Sequence, residues 1–164
     1  MNEEIMPEAK DKTAVSANVI AFPPRIYLTA MIIGILLNIL WPVTVGGGYW
    51  RAGIGLLLIG LGVFISASGA REFGRRETAV NPYYPASAVV QSGIYRYSRN
   101  PMYVGLTAVL LGVGLLINSL WSLLILIPTL LIIYFGVILR EEAYMEKMFG
   151  QEYLAYKKSV RRWF

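Results

Sequence analysis

The chain contains no cysteine and no histidine. Lack of cysteine excludes disulfides, thiolate nucleophiles and thiolate metal sites. Lack of histidine excludes an imidazole base, imidazole-bound zinc and a histidine-held haem, so no metal site is expected. Charge is scarce too: Asp, Glu, Lys and Arg make up 15% of the 164 residues and are missing from long stretches. Apolar residues are what the chain has in quantity. They form 56% of it, with a mean hydropathy of +0.54, which is above the level of ordinary soluble domains and points to one membrane domain.

The apolar residues fall into runs of spanning length. Residues 1–24 are polar and of mixed charge, without a basic-then-apolar leader pattern, and predict a loose cytosolic tail ending in Pro23-Pro24. Residues 26–45 carry no charge and predict the first span, closed or kinked at Pro42. Gly46-Gly47-Gly48 then predicts a turn, with Tyr49 and Trp50 at interface depth. The second span is expected at 52–70, where Gly53, Gly55, Gly60, Gly62 and Gly69 allow close packing or serve as filler. From Tyr103 to Leu139 no residue is charged, too long for one crossing and close to two. Asn118-Ser119 supplies the turn between spans at 101–117 and 120–139, and Asn100-Pro101 reads as an N-cap followed by proline at the first helical position. The fold class expected is all-α: about four transmembrane helices, a cytosolic loop at 71–99 and a helical cytosolic segment at 140–164.

An even number of crossings puts both termini on one side. Fourteen of the fifteen Lys and Arg residues fall on that side and only Arg51 on the other, which predicts a multi-pass inner (plasma) membrane protein with cytosolic termini. The basic residues follow the membrane surface and are interleaved with acidic ones, so no nucleic-acid partner is expected. The partners expected are membrane lipids and a lipophilic small-molecule or lipid substrate; the sequence does not set an oligomeric state.

Both long polar segments flank the hairpin of helices three and four. At the start of helix three, Arg99, Asn100 and the helix N-terminus favour an anion. Glu141 and Glu142 are expected at the carbonyl end of helix four, where two carboxylates ask for a positive partner. They either receive a ligand cation or pair with Arg140, Lys147 or another arginine as interfacial anchors. Tyr95, Tyr97, Tyr103, Tyr153 and Tyr156 are aromatic candidates for ligand stacking or for membrane anchoring. These residues describe a site for a ligand bearing both charges and do not name it.

The stretch Ser92-Gly93-Ile94-Tyr95-Arg96-Tyr97-Ser98-Arg99-Asn100-Pro101-Met102-Tyr103-Val104-Gly105 resembles the isoprenylcysteine carboxyl methyltransferase and phospholipid methyltransferase superfamily. Arg140-Glu141-Glu142, Phe149-Gly150, Glu152-Tyr153, Tyr156 and Val160-Arg161-Arg162-Trp163 come after it in the order of the superfamily's C-terminal signature, and Thr78 and Pro82 resemble the loop before the first motif. The resemblance implies methyl transfer from S-adenosylmethionine, leaving S-adenosylhomocysteine, to a lipophilic acceptor such as an isoprenylcysteine-type carboxylate or an aminophospholipid. It implies a cofactor site of Tyr95, Arg99, Asn100, Pro101, Tyr103, Glu141, Glu142, Tyr153 and Tyr156, with the glutamates on the ammonium of the methionine moiety. Arg99, Glu142 and Tyr103 are the expected catalytic residues. Many relatives have histidine where this chain has Asn100, so an imidazole-specific role is absent and a capping or backbone role replaces it.

Two other classes fit parts of the pattern. A non-catalytic four-helix transporter or assembly factor would explain the glycines and end charges, but the spans lack the mid-membrane ionisable group usual in carriers. A membrane reductase would share the architecture, but the chain has no dinucleotide glycine fingerprint.

Overall fold

The computed structural model describes residues 16–163 and is all-helical, with no strand among them. Helix α1 is Pro23–Leu40, α2 is Trp50–Arg75 and α3 is Pro101–Leu116. Helix α4 is the rod Leu120–Phe149, broken by a turn at Ile125, and α5 is Gln151–Ser159. By length and apolar composition α1, α2 and α4 can each cross a membrane, while α3 is a shorter apolar helix of 16 residues.

Of the tail expected at 1–24, residues 1–15 lie outside the described residues. The remainder is not loose. Residues 17–22 form an extended strap in which Ala17 and Val19 are buried, Ala17 N–H donates to Pro82 O (3.2 Å) and Ile20 N–H donates to Gly136 O (3.1 Å). Pro23 and Pro24 open α1 rather than precede it, because proline has no N–H to lose at the first helical positions. Helix α1 ends at Leu40, earlier than the apolar run, as the residue before Pro42 is disfavoured from the helical region. Gly46 and Gly47 then take φ of 81° and 83°, the left-handed conformation of a tight turn.

The seam between α2 and α3 is built from glycine. Gly55 and Gly62 recur at seven residues on α2, and Gly105 and Gly112 do so on α3, so each pair shares a face after two turns. A methyl at Gly55 would stand 2.7 Å from Gly112 O, and one at Gly62 would strike Gly105 O. Gly53 and Gly60 have nothing within 4 Å, which divides the glycines by face: close contact on one side, open surroundings on the other. At the far end, Arg51 donates from Nη1 to Leu115 O (3.2 Å), capping the carbonyl end of α3. Asn118, at φ 57°, makes the turn, and Ser119 Oγ accepts from Ser122 N–H (3.1 Å) to cap α4. Replacing Ser119 by alanine is expected to cost about 1 kcal/mol, read as a lower thermal midpoint in detergent.

Helix α4 does not stop with the span expected at 120–139, and it is not regular. Pro128 cannot donate to the carbonyl four residues back, and the rod is irregular at Ile125. Tyr134–Ile138 is a π-helical segment whose register shift turns everything beyond it, and its Gly136 carbonyl is the one bonded by the strap. The helix then continues to Phe149, well past the apolar run that closes at Leu139. Glu141 and Glu142 therefore do not lie at a helix carbonyl end as expected; they sit within α4, just after the π segment.

Candidate functional site

The start of α3, the polar third of α4 and α5 meet at one end of the bundle. Asn100 occupies the N-cap position before Pro101, but its side chain does not cap the helix. Asn100 Nδ2 instead donates to Arg162 O (3.0 Å), Ser98 Oγ donates to the same carbonyl (3.3 Å), and Arg99 N–H donates to Arg161 O (3.0 Å). Residues 160–163 thereby lie across the turn that carries Arg99.

Glu142 is the electrostatic centre of this region. Arg162 grips it bidentately, Nε to Oε1 and Nη2 to Oε2, both 2.9 Å. Arg99 Nη1 stands 3.1 Å from Oε1 and Lys157 Nζ 3.7 Å from Oε2. Lys157 also pairs closely with Glu146. Arg162 lies over the Tyr134 ring at 5.0 Å and donates to its hydroxyl (2.7 Å). The hydrogen bond to Glu142 is the main reason its guanidinium stays above its ordinary pKa, ahead of the opposing effect of burial. Glu142 is therefore matched by three cations from its own chain.

Glu141 is placed differently. Its Oε1 accepts from Tyr103 Oη (2.7 Å), and no ion pair to it occurs among the described residues. Tyr103 is buried at the start of α3, and Tyr27 of α1 braces it by donating to its carbonyl (3.2 Å).

A cavity opens beside these groups. Of the nine expected cofactor residues, Tyr95, Arg99, Asn100, Tyr103, Glu141, Glu142, Tyr153 and Tyr156 all line it; Pro101 is buried behind and only fixes the helix start. Tyr97 is 76% exposed and stands apart. Tyr156 Oη donates to Tyr95 O (2.8 Å), and the Tyr153 and Tyr156 rings meet edge-to-face at 6.1 Å. Burial pushes the Tyr153 hydroxyl up to about 12, and chiefly burial raises Tyr95 and Tyr156 as well, so all three are neutral donors at physiological pH.

Several polar atoms here lack partners. The Arg99 side chain is 8% exposed, yet its Nε and Nη1 make no well-aligned hydrogen bond, and neither does the buried Tyr95 hydroxyl. A buried guanidinium Nε left unmatched beside a cavity fits an anionic ligand group.

Other contributors escaped the sequence reading. Tyr144 and Met145 line the cavity and share a face with Glu141 by the three- and four-residue helical spacing, a signal that was available. The loop at 78–90 forms another wall. Ser87 N–H donates to Thr78 Oγ1 (2.9 Å) and Ala86 N–H to Tyr144 Oη (3.1 Å), tying that loop to itself and to α4. Glu72, buried near the end of α2, accepts from Ser92 Oγ (2.7 Å) and holds the turn leading to Tyr95.

Comparison with known proteins gives the family. The phospholipid methyltransferase family matches residues 50–152. A protein-S-isoprenylcysteine O-methyltransferase of Schizosaccharomyces pombe is 38% identical over 72 residues, 44% of this chain and 30% of that protein. The match thus spans under a third of the length of that curated relative. An uncharacterized protein of Haemophilus influenzae is 42% identical over 62 residues, 38% of this chain and 98% of that protein. No solved structure matches. With the family match covering more than half its length and including Tyr95, Arg99, Tyr103, Glu141 and Glu142, the chain belongs to the phospholipid methyltransferase family.

Proposed function

We propose that the protein is a membrane methyltransferase that takes its methyl group from S-adenosylmethionine and passes it to a lipophilic acceptor at the cytosolic face. The observation that carries this reading is the cavity in which buried Arg99 keeps Nε without a partner, its Nη1 being engaged by Glu142, and Glu141 stands free of any ion pair among the described residues. A zwitterionic amino-acid moiety has the two charges such a pair would receive.

Arg99 would hold the cofactor carboxylate through Nε, with Nη1 kept by Glu142. Glu141, through Oε2, would accept from the ammonium while Oε1 keeps the Tyr103 hydroxyl. Tyr95, Tyr153 and Tyr156 would form the aromatic wall for the adenine, and Asn100 and Pro101 would set the start of α3. Glu142 would hold Arg99 in place, as its contacts with Arg99, Arg162 and Lys157 leave it poorly suited to receive a further cation. The bound cofactor supplies an already activated methyl group on a sulfonium. The chain's own work is to orient the two reactants and exclude water, which can contribute several kcal/mol. Arg99 and Tyr103 act through that positioning. A carboxylate acceptor enters deprotonated and asks no proton acceptor of the protein.

Four crossings with cytosolic termini would bring this end of the bundle to the cytosolic surface, where the basic residues gather. Calorimetric titration of the protein in lipid nanodiscs with S-adenosylhomocysteine tests the reading. Micromolar binding is expected, weakened about tenfold in Glu141→Gln, the scale of one charge-assisted hydrogen bond. Failure of the wild type to bind in both nanodiscs and detergent would return the non-catalytic four-helix membrane protein to first place.

A further inference from the structure

A second hollow, sharing no lining residue with the first, lies between α1 and α4. Its volume is about 310 Å³, at the lower end of the range of small-molecule sites. Arg25, Thr29 and Ile33 line its α1 side, and Ile125, Pro128 and Ile132 its α4 side. The hollow sits where α4 is interrupted ahead of Pro128, so the sequence feature that irregularises the helix also accounts for the space.

Arg25, Thr29 and Ile33 repeat every fourth residue, one face of α1, over a rise of about 12 Å. Arg25 is exposed and makes no ion pair among the described residues. It stands at the N-terminal end of α1, the end at which the basic residues gather, with Thr29 one turn and Ile33 two turns deeper. The wall is otherwise apolar except for Thr129, whose hydroxyl is spent on Ile125 O (2.7 Å), and its surroundings are outward-facing Leu28, Ile32, Leu36, Ile127 and Leu131. Along α1, one cation, one hydroxyl and then hydrocarbon, in that order, is the polarity sequence of a phospholipid read from headgroup to chain.

We infer that this hollow binds one anionic phospholipid, its phosphate on Arg25 and an acyl chain along Thr29 and Ile33 toward Pro128. The lipid is held rather than methylated: a headgroup such as that of phosphatidylglycerol carries no amine, and the hollow is separate from the cavity of Arg99 and Glu141. The inference is independent of the methyl-transfer reading and survives its failure.

The test uses the whole protein in nanodiscs of phosphatidylglycerol and phosphatidylcholine in equal parts, released into mild detergent and weighed by native mass spectrometry. One retained phosphatidylglycerol is expected, enriched about five-fold over phosphatidylcholine, the preference one arginine near an anionic headgroup supplies. Arg25→Glu should abolish the enrichment, and Arg25→Gln should do so without reversing charge, in case the first variant fails to fold. Ile33→Trp, which fills the deep end, should leave no retained lipid at unchanged helical circular dichroism. No retained lipid in the wild type, no headgroup preference there, equal enrichment in Arg25→Gln, or wild-type retention in Ile33→Trp would each overturn the assignment.

Discussion

Arg99→Ala is expected to weaken S-adenosylhomocysteine binding by about 30-fold or more, corresponding to about 2 kcal/mol for truncating one partner of a buried charge pair. Fold should suffer less. Glu142 keeps the bidentate grip of Arg162 and the Lys157 contact when Arg99 is removed, so the carboxylate is not stranded. Calorimetry beside thermal unfolding in the same detergent separates the two effects. Arg99→Lys sharpens the test, because an ammonium restores charge without the planar fork and should recover only part of the affinity. Undiminished binding by Arg99→Ala would show that the Arg99 guanidinium is not the carboxylate site.

Gly62→Ala is expected to produce the largest loss of stability, about 3 kcal/mol, the upper part of the range for overpacking. A methyl there would run into the Gly105 carbonyl, which is backbone and cannot rotate away, and into Val109 Cγ2 at 2.8 Å. The matched control is Gly60→Ala. The same atom is added to the same helix two residues away, where nothing lies within 4 Å, and the change should stay within about 0.5 kcal/mol. Tryptophan fluorescence during thermal unfolding in one detergent compares the pair. Equal midpoints would mean that the α2–α3 contact is looser than the structure has it.

Apolar run length and turn residues made the helices legible: α2, α3 and the turn at Asn118-Ser119 fall where composition put them. Run length says nothing of where a helix ends once it leaves hydrocarbon, so the extension of α2 to Arg75 and of α4 to Phe149 was invisible. The π segment had no signature either, since one extra residue in a turn leaves an all-apolar pattern unchanged. Gly136 was the only trace, and it matters because Ile20 of the strap lies against it. At the candidate site the residue types were readable and the pairing was not. Glu141 and Glu142 are neighbours in sequence, but successive helical residues point about 100° apart, which sends one to Tyr103 and the other to three cations. Which carboxylate is taken depends on Arg162, twenty residues downstream of Glu142, whose arrival only the fold reveals.

The shortness of α3 sets a depth. Its 16 residues rise about 24 Å, less than the roughly 30 Å of bilayer hydrocarbon. If the Arg51 cap lies at the opposite interface, as the four-crossing topology proposed above requires, the end that bears Arg99 would stop below the headgroups or draw the bilayer thinner around it. A greasy acceptor would then meet the reacting methyl without leaving the lipid. On the methyl-transfer reading proposed above, bilayer thickness would become a control variable for turnover, with longer-chain lipids sinking the site further from an aqueous cofactor.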